Sequence, residues 1–302
     1  MGERLCLMTV HAHPDDEASK GAGTVARYHA EGMHTVLVCC TGGEEGSILN
    51  PAMDRPEVQA RLPEIRMEEL AKSTEIIGYD EVVLLGYRDS GMPGMPSSEH
   101  PRAFVKAPLH ATVGRLVSEI RRTRPQVIVT YEEDQTGYPH PDHLRVHDIS
   151  VAAFDAAGDP AAFPESGPAW QPLKLYYTVW SRAQMTAIHE RFLELGLESP
   201  FGTAWMDGPS VDHAITTRVD IYDQHTVRPR ALLAHATQFR YPRGVMAAAV
   251  LGDPRSPLWF GLKPDEAKDK HPYDEYILAR SLVDDTDDGD DLFSGIRDRV
   301  SR

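Results

Sequence analysis

Four short runs in the first 131 residues are apolar at nearly every position: LCLMTV (5–10), TVLVCCT (35–41), EVVLLGY (81–87) and QVIVTY (126–131). A strand with one wet face alternates apolar and polar residues. These runs do not, so they read as strands buried on both faces. Between them lie stretches with helical spacing: AGTVARYHAEGM (22–33) with Gly32 near its end, EVQARLPEIRMEELAKSTEIIG (57–78) ending on Gly78, and PLHATVGRLVSEIRRTRP (108–125). Buried strands alternating with helices specify an α/β fold, Rossmann-like, with a mostly parallel sheet and helices on both faces.

The second half is less regular. LKLYYTVW (173–180) and HAITTRVDI (213–221) read as strands and HTVRPRALLAHATQF (225–239) as a helix, with Pro and Gly punctuating the rest. The expected organisation is a core over residues 1–150, a smaller C-terminal subdomain over 151–283 that completes the site, and an acidic, mobile tail over 284–302. In that tail DDTDDGDD (284–291) places six Asp in eight residues, a density that normally stays solvated.

Acidic residues outnumber basic ones, 46 to 31, for a net charge of −15. Nucleic acid is a poor partner for such a chain, because phosphate binding needs a basic footprint. No apolar run reaches the length of a membrane span and no signal peptide precedes the first strand, so a cytoplasmic protein with no membrane partner is expected. Cys6, Cys39 and Cys40 lie inside strand-like runs; two are adjacent, the count is odd, and no CxxC pair is present. They read as reduced core residues, not as disulfides or thiolate ligands.

What the fold does not need is the chemistry at the strand ends. The first strand delivers HAHPDDE, with His11, His13, Asp15, Asp16 and Glu17 in seven positions. The fourth delivers GYPHPDHLRVH (137–147), so HPDD at 13–16 is echoed by HPDH at 140–143. In open parallel sheets ligands bind beyond the carboxyl ends of the strands, at the switch point. Pro14 forces the chain out of the ladder, and the consecutive Asp15 and Asp16 then point in different directions. One can bind a cation while the other faces a reacting group. Pro141 suits the first turn of a helix, which puts His140 just before it and His143 inside it.

Two His and one Asp from two neighbouring strand ends make a three-ligand site with one position open, the pattern of catalytic zinc. Nitrogen and oxygen donors also suit iron(II) or cobalt. His11 reads as a core or supporting residue, and His147, without the glutamate of an HExxH pair, as an ordinary helix residue. SKGAGT (19–24) lacks the GxGxxG spacing, which argues against nicotinamide binding. A two-metal phosphoesterase would need more ligands than can be assigned, and a merely structural metal site has no use for a spare Asp15 beside an open position.

HAHPDDE, TGGEEG (41–46), GYRDSGM (86–92) and GYPHPDH (137–143), in this order, resemble the motifs of the zinc deacetylases and amidases that act on N-acylated glucosamine, the family named after the LmbE protein of lincomycin biosynthesis. The likeness is strong over residues 4–150 and weak beyond. Lys20 and ILNPAMDRP (48–56) resemble the branch that hydrolyses mycothiol S-conjugates more than the branch that deacetylates N-acetylglucosaminyl-inositol. The resemblance implies one Zn2+ on His13, Asp16 and His143, with Asp15 as general base. Tyr138 and His140 would stabilise the oxyanion, His140 also serving the leaving amine. Arg66 and Asp89 would meet the sugar-inositol part and Lys20 the cysteinyl part. The implied partner is a small-molecule mycothiol S-conjugate, in detoxification or an antibiotic pathway, and a homo-oligomer is compatible with all of this. Ser47 stands where the family carries a carboxylate, which bears on recognition of the inositol and leaves the chemistry intact.

Overall fold

All four apolar runs form strands: β1 (Cys6–His11), β2 (His34–Thr41), β3 (Glu81–Tyr87) and β4 (Val127–Tyr131). The structure, a computed structural model, describes residues 4–50, 52–133, 139–194, 208, 210–238, 270–283 and 289–297. β5 (Lys174–Val179), β6 (Thr217–Asp220) and β7 (Tyr273–Ser281) complete a seven-stranded sheet in the order β3-β2-β1-β4-β5-β7-β6. The first five strands are parallel, and β7 runs antiparallel to both β5 and β6. β3 departs from the two-sided burial expected of it: Val82 and Leu84 are exposed because β3 is the sheet edge and one of its faces is uncovered.

The α-helices among the described residues are α1 (Asp16–Ser19), α2 (Ala22–Ala30), α3 (Pro56–Gln59), α4 (Leu62–Ile77), α5 (Leu109–Thr123), α6 (Pro141–Ala157), α7 (Arg182–Glu194) and α8 (Val227–Ala234). The helix expected over 57–78 is two helices. Pro63 has no N–H to continue a helix and is tolerated only in a first turn, so α4 restarts beside it. Gly78 ends α4 with φ 93°, a left-handed cap that a side chain would strain.

Each face of the sheet carries its own core. On one, Met8, Val10, Val38 and Ile128 pack against Leu116 and Ile120 of α5 and Val146 and Phe154 of α6. On the other, Leu7, Val127 and Tyr276 pack against Val25 and Tyr28 of α2 and Leu232 of α8. Each such side chain, fully removed from water, contributes about 1.5–3 kcal/mol. The three cysteines are free and buried. No helix among the described residues is long and apolar enough to cross a membrane.

The strands of the second half, β5, β7 and β6, extend the sheet of the first half. Of the acidic stretch over 284–302, residues 289–297 are described, and they pack on the first half. Leu292, Phe293 and Ile296 are fully buried against α2, and Asp291 accepts a hydrogen bond from Tyr28 Oη at 2.9 Å. Three apolar side chains at near-helical spacing outweigh the neighbouring charges there. Residues 284–288 and 298–302 lie outside the described residues.

The feature that positions the site is the reversal of strand order at β1 and β4. They are direct neighbours, with Leu7 opposite Val127 and Thr9 opposite Val129, yet the chain leaves β1 towards β2 and leaves β4 towards β5. Their carboxyl-end loops therefore part and leave a crevice between them.

Candidate active site

At the end of β1 the chain turns sharply. Asp15 has φ 106° and ψ −23°, a left-handed backbone on a residue with a side chain. The turn is tied down on every side. Asp16 Oδ2 accepts from the His13 N–H at 3.0 Å, and Glu17 Oε2 accepts from the Asp15 N–H at 2.8 Å. Arg66 of α4, only 3% exposed, donates to Gly43 O at 2.8 Å, to Pro14 O, and to Asp15 Oδ2 at 3.1 Å. Gly43 makes room for it: with φ 66°, a Cβ there would lie 2.5 Å from the Arg66 guanidinium.

The second cluster arrives from β4. His140 is the N-cap of α6, and its Nδ1 accepts from the Asp142 N–H at 3.2 Å. That bond requires Nδ1 unprotonated, so the neutral ring carries its hydrogen on Nε2. His143, one turn in, brings Nε2 to 3.4 Å from Asp16 Oδ2. His13 Nδ1 lies 3.4 Å from the same oxygen. One ligand atom each from His13, Asp16 and His143 falls within 4.8 Å of the others, and all three residues are buried.

A second group, His13, Asp89, His140 and Asp142, meets the same spacing. The two nitrogens of His13 separate the groups. Its Nε2 faces Asp142 Oδ2 at 3.2 Å and Asp89 Oδ1 at 3.6 Å. A carboxylate behind a ligating imidazole fixes its tautomer and raises its basicity, so Asp142 and Asp89 aim Nδ1 at Asp16 and His143.

The charges favour a cation. Burial alone would lower the pKa of His13, but Asp89, Asp142 and Asp16 together hold it well above the ordinary value. Burial would raise Asp16, yet Lys20 and His143 hold it well below the usual carboxylate range. Burial pushes His143 down to about 4, which keeps it a neutral donor, and burial with the charge of His13 does the same to His140. Asp15 moves the other way, pushed up to about 6 by burial against the pull of Arg66. Two imidazole nitrogens and a carboxylate oxygen, ringed by further carboxylates, fit a divalent metal of the zinc type.

With that geometry in place the likeness to known proteins can be read. A family model described as PIG-L, GlcNAc-PI de-N-acetylase, matches residues 8–154, the span that contains every residue of the metal group. Mycothiol S-conjugate amidase of Streptomyces coelicolor is 42% identical over 309 residues, covering 99% of this chain and 100% of that protein. The chain belongs to the PIG-L family. Another relative, 1D-myo-inositol 2-acetamido-2-deoxy-alpha-D-glucopyranoside deacetylase of Geodermatophilus obscurus, is 40% identical over 77% of this chain and 82% of its own length. The N,N'-diacetylchitobiose deacetylase of Pyrococcus horikoshii shares the fold, with a TM-score of 0.60 at 15% identity, over 91% of this chain and 84% of that one. This PIG-L chain is an enzyme, a hydrolase of the deacetylase and amidase class.

Within the PIG-L site the other sequence-derived residues fall as follows. Lys20 Nζ is 2.5 Å from Asp16 Oδ1 and lies over the rings of Tyr131 and Trp180, at 5.3 and 5.7 Å from their centroids. Arg66 donates to the elbow at Pro14 O and Asp15 Oδ2 and to Gly43 O, and Asp89 is engaged with His13, Gly91 N–H and Glu45 N–H. Tyr138 lies outside the described residues. Ser47 meets the second half, its carbonyl accepting from Gln238 Nε2 at 3.0 Å. His11 packs on Tyr131, Nδ1 to Oη 3.1 Å, and His147 Nδ1 lies 2.9 Å from Tyr131 O, both in supporting places. Sequence reasoning missed Asp142 and Glu17, which sit inside the quoted motifs, and His235, an isolated histidine after a helix.

Proposed function

We propose that this enzyme is a zinc-dependent amidase that cleaves the amide joining the cysteinyl group to glucosamine in a mycothiol S-conjugate. The observation that carries the reading is a carboxylate, Asp15, held beside a three-residue metal group without belonging to it. His13, Asp16 and His143 would hold the zinc ion, which would supply a Lewis acid for the attacking water and the scissile carbonyl. Asp15, with its pKa pushed up to about 6, takes the proton of that water near neutral pH. His140 offers a neutral Nε2–H to the developing oxyanion; a lost donor of this kind typically costs about 2.7–4 kcal/mol. A ring held neutral is a poor acid, so Asp15, once protonated, returns its proton to the departing glucosamine nitrogen. Tyr138 is assigned to the oxyanion with His140. The products are an N-acetylcysteine S-conjugate and glucosaminyl-inositol.

Two observations support the amidase: the 42% identity that runs the whole length of the Streptomyces coelicolor enzyme, and Lys20 at the rim of the metal group. The second reading, deacetylation of N-acetylglucosaminyl-inositol, uses the same residues on a smaller acyl group and is favoured by the 40% identity to the Geodermatophilus obscurus deacetylase. Mass spectrometry of products from several mycothiol conjugates and from the unconjugated precursor separates them. Faster release of N-acetylcysteine conjugates is expected; faster release of acetate would make the deacetylase the function.

A further inference from the structure

The proposed chemistry makes no direct use of two fully buried titratable groups, Glu17 and His235. They lie under the elbow and touch each other: His235 Nε2 is 2.7 Å from Glu17 Oε1, across 218 positions of sequence. A buried ion pair is weak evidence for stability, because desolvation offsets most of the attraction. Its connections say more than its existence. The second oxygen of Glu17 accepts the N–H of Asp15 at 2.8 Å, and this is the residue whose backbone is left-handed at φ 106°. Ser73 Oγ of α4 donates to Glu17 Oε1 at 2.5 Å, so the carboxylate is gripped on one side to present its other oxygen to Asp15.

His235 in turn is not free to drift. The two residues after it are bound to the first half: Thr237 donates its N–H and Oγ1 to the two oxygens of Glu69, at 2.8 and 2.7 Å. Asn50 Nδ2 donates to Ala236 O at 2.8 Å, and Leu49 N–H to Thr237 O at 2.9 Å. The second half thus reaches back through one imidazole to a single backbone N–H beneath the reacting centre.

We propose that His235 is a positioning residue: through Glu17 it holds the Asp15 backbone in its left-handed form, and so aims the Asp15 carboxylate at the attacking water. The inference rests on the reading of Asp15 as the base. Without His235, only Ser73 steadies Oε1, the Glu17 carboxylate turns away towards it, the Asp15 N–H loses its acceptor, and Asp15 relaxes towards negative φ. A displacement of the order of 1 Å at a reacting group costs up to roughly 100-fold in rate.

The test is a double-mutant cycle on the metal-loaded full-length enzyme, with whichever of the two substrates above it turns over. His235→Ala is expected to keep its metal and its KM and to lose about 10- to 100-fold in kcat. His235→Gln, which retains an N–H at that place, is expected to recover most of the loss. In an Asp15→Ala background the same His235→Ala change should cost nothing further, because two residues acting as a unit are not additive. A crystal structure of His235→Ala is expected to show Asp15 out of the left-handed region. Equal losses in both backgrounds, or a folded, metal-loaded His235→Ala with wild-type kcat, overturn the proposal. If His235→Ala fails to fold, Ser73→Ala takes its place in the cycle with the same two outcomes. Failure of the base assignment shows separately, as wild-type kcat in Asp15→Ala alone.

Discussion

His13 is engaged through both nitrogens, one towards Asp16 and one towards Asp142 and Asp89, so on the proposed reading its loss removes a metal ligand and unbalances three carboxylates together. His13→Ala and His143→Ala are each expected to bind no metal and to show no turnover; metal analysis of the purified variants checks this, and full occupancy in either would refute the ligand set. Asp15→Ala is expected to behave in the opposite way, keeping its metal while kcat falls about 10²–10⁴-fold, the usual range for loss of a general base. Lys20 pairs with the outer oxygen of Asp16 and faces Trp180. Lys20→Ala should lower kcat/KM on mycothiol conjugates about 10- to 100-fold more than on the acetylated precursor, the worth of one charge-assisted hydrogen bond. Equal losses on the two substrates would reduce Lys20 to a partner of Asp16. His13, Asp15 and Asp16 could be read because their spacing and strand context already imply a shared point. Asp142, Glu17 and His235 could not, since their roles depend on which group each meets across the fold.

Among the elements, β1, β2 and β4 were readable because a strand buried on both faces leaves a continuous apolar run. β7 was not. Its YDEYILARS carries Asp274 and Glu275, which by composition belong in water; in the fold both are buried, Asp274 on Arg228 and Glu275 on His271 and Arg218. A local pattern cannot register a charge neutralised from another element. The end of the chain repeats the point. Burial alone would raise the pKa of Asp291, but Arg297, at 2.5 Å, holds it below the usual carboxylate range. A depressed carboxylate contributes its full stability above the ordinary pKa of about 4 and loses it as pH falls through its own lower value. The stability difference between wild type and Asp291→Asn, measured by urea unfolding, should therefore be largest near neutrality and shrink below about pH 4. A difference that grows in acid would show that Asp291 does not anchor the segment as an anion.

For the whole molecule, a seven-stranded sheet makes one body of two halves that the sequence presents as unlike. Only the first half carries the regular alternation of strand and helix; the second contributes through pairing of β5 with β4 and of β7 with β5. The pairing of β1 with β4 has a consequence in time as well as in space. Leu7 and Val127 must find each other across a long stretch of chain, and closing that distance is an entropic cost met before the contacts reward it. Contacts between residues so far apart in the chain slow the search for the native state. The metal group lies on both sides of this one pairing, so no early intermediate holds His13, Asp16 and His143 together. Refolding from urea in the presence of zinc should therefore show ion capture in the slowest phase that restores native fluorescence, read by release from a zinc-sensitive dye. Capture in the first milliseconds would mean that the three ligands meet before the strands beneath them do.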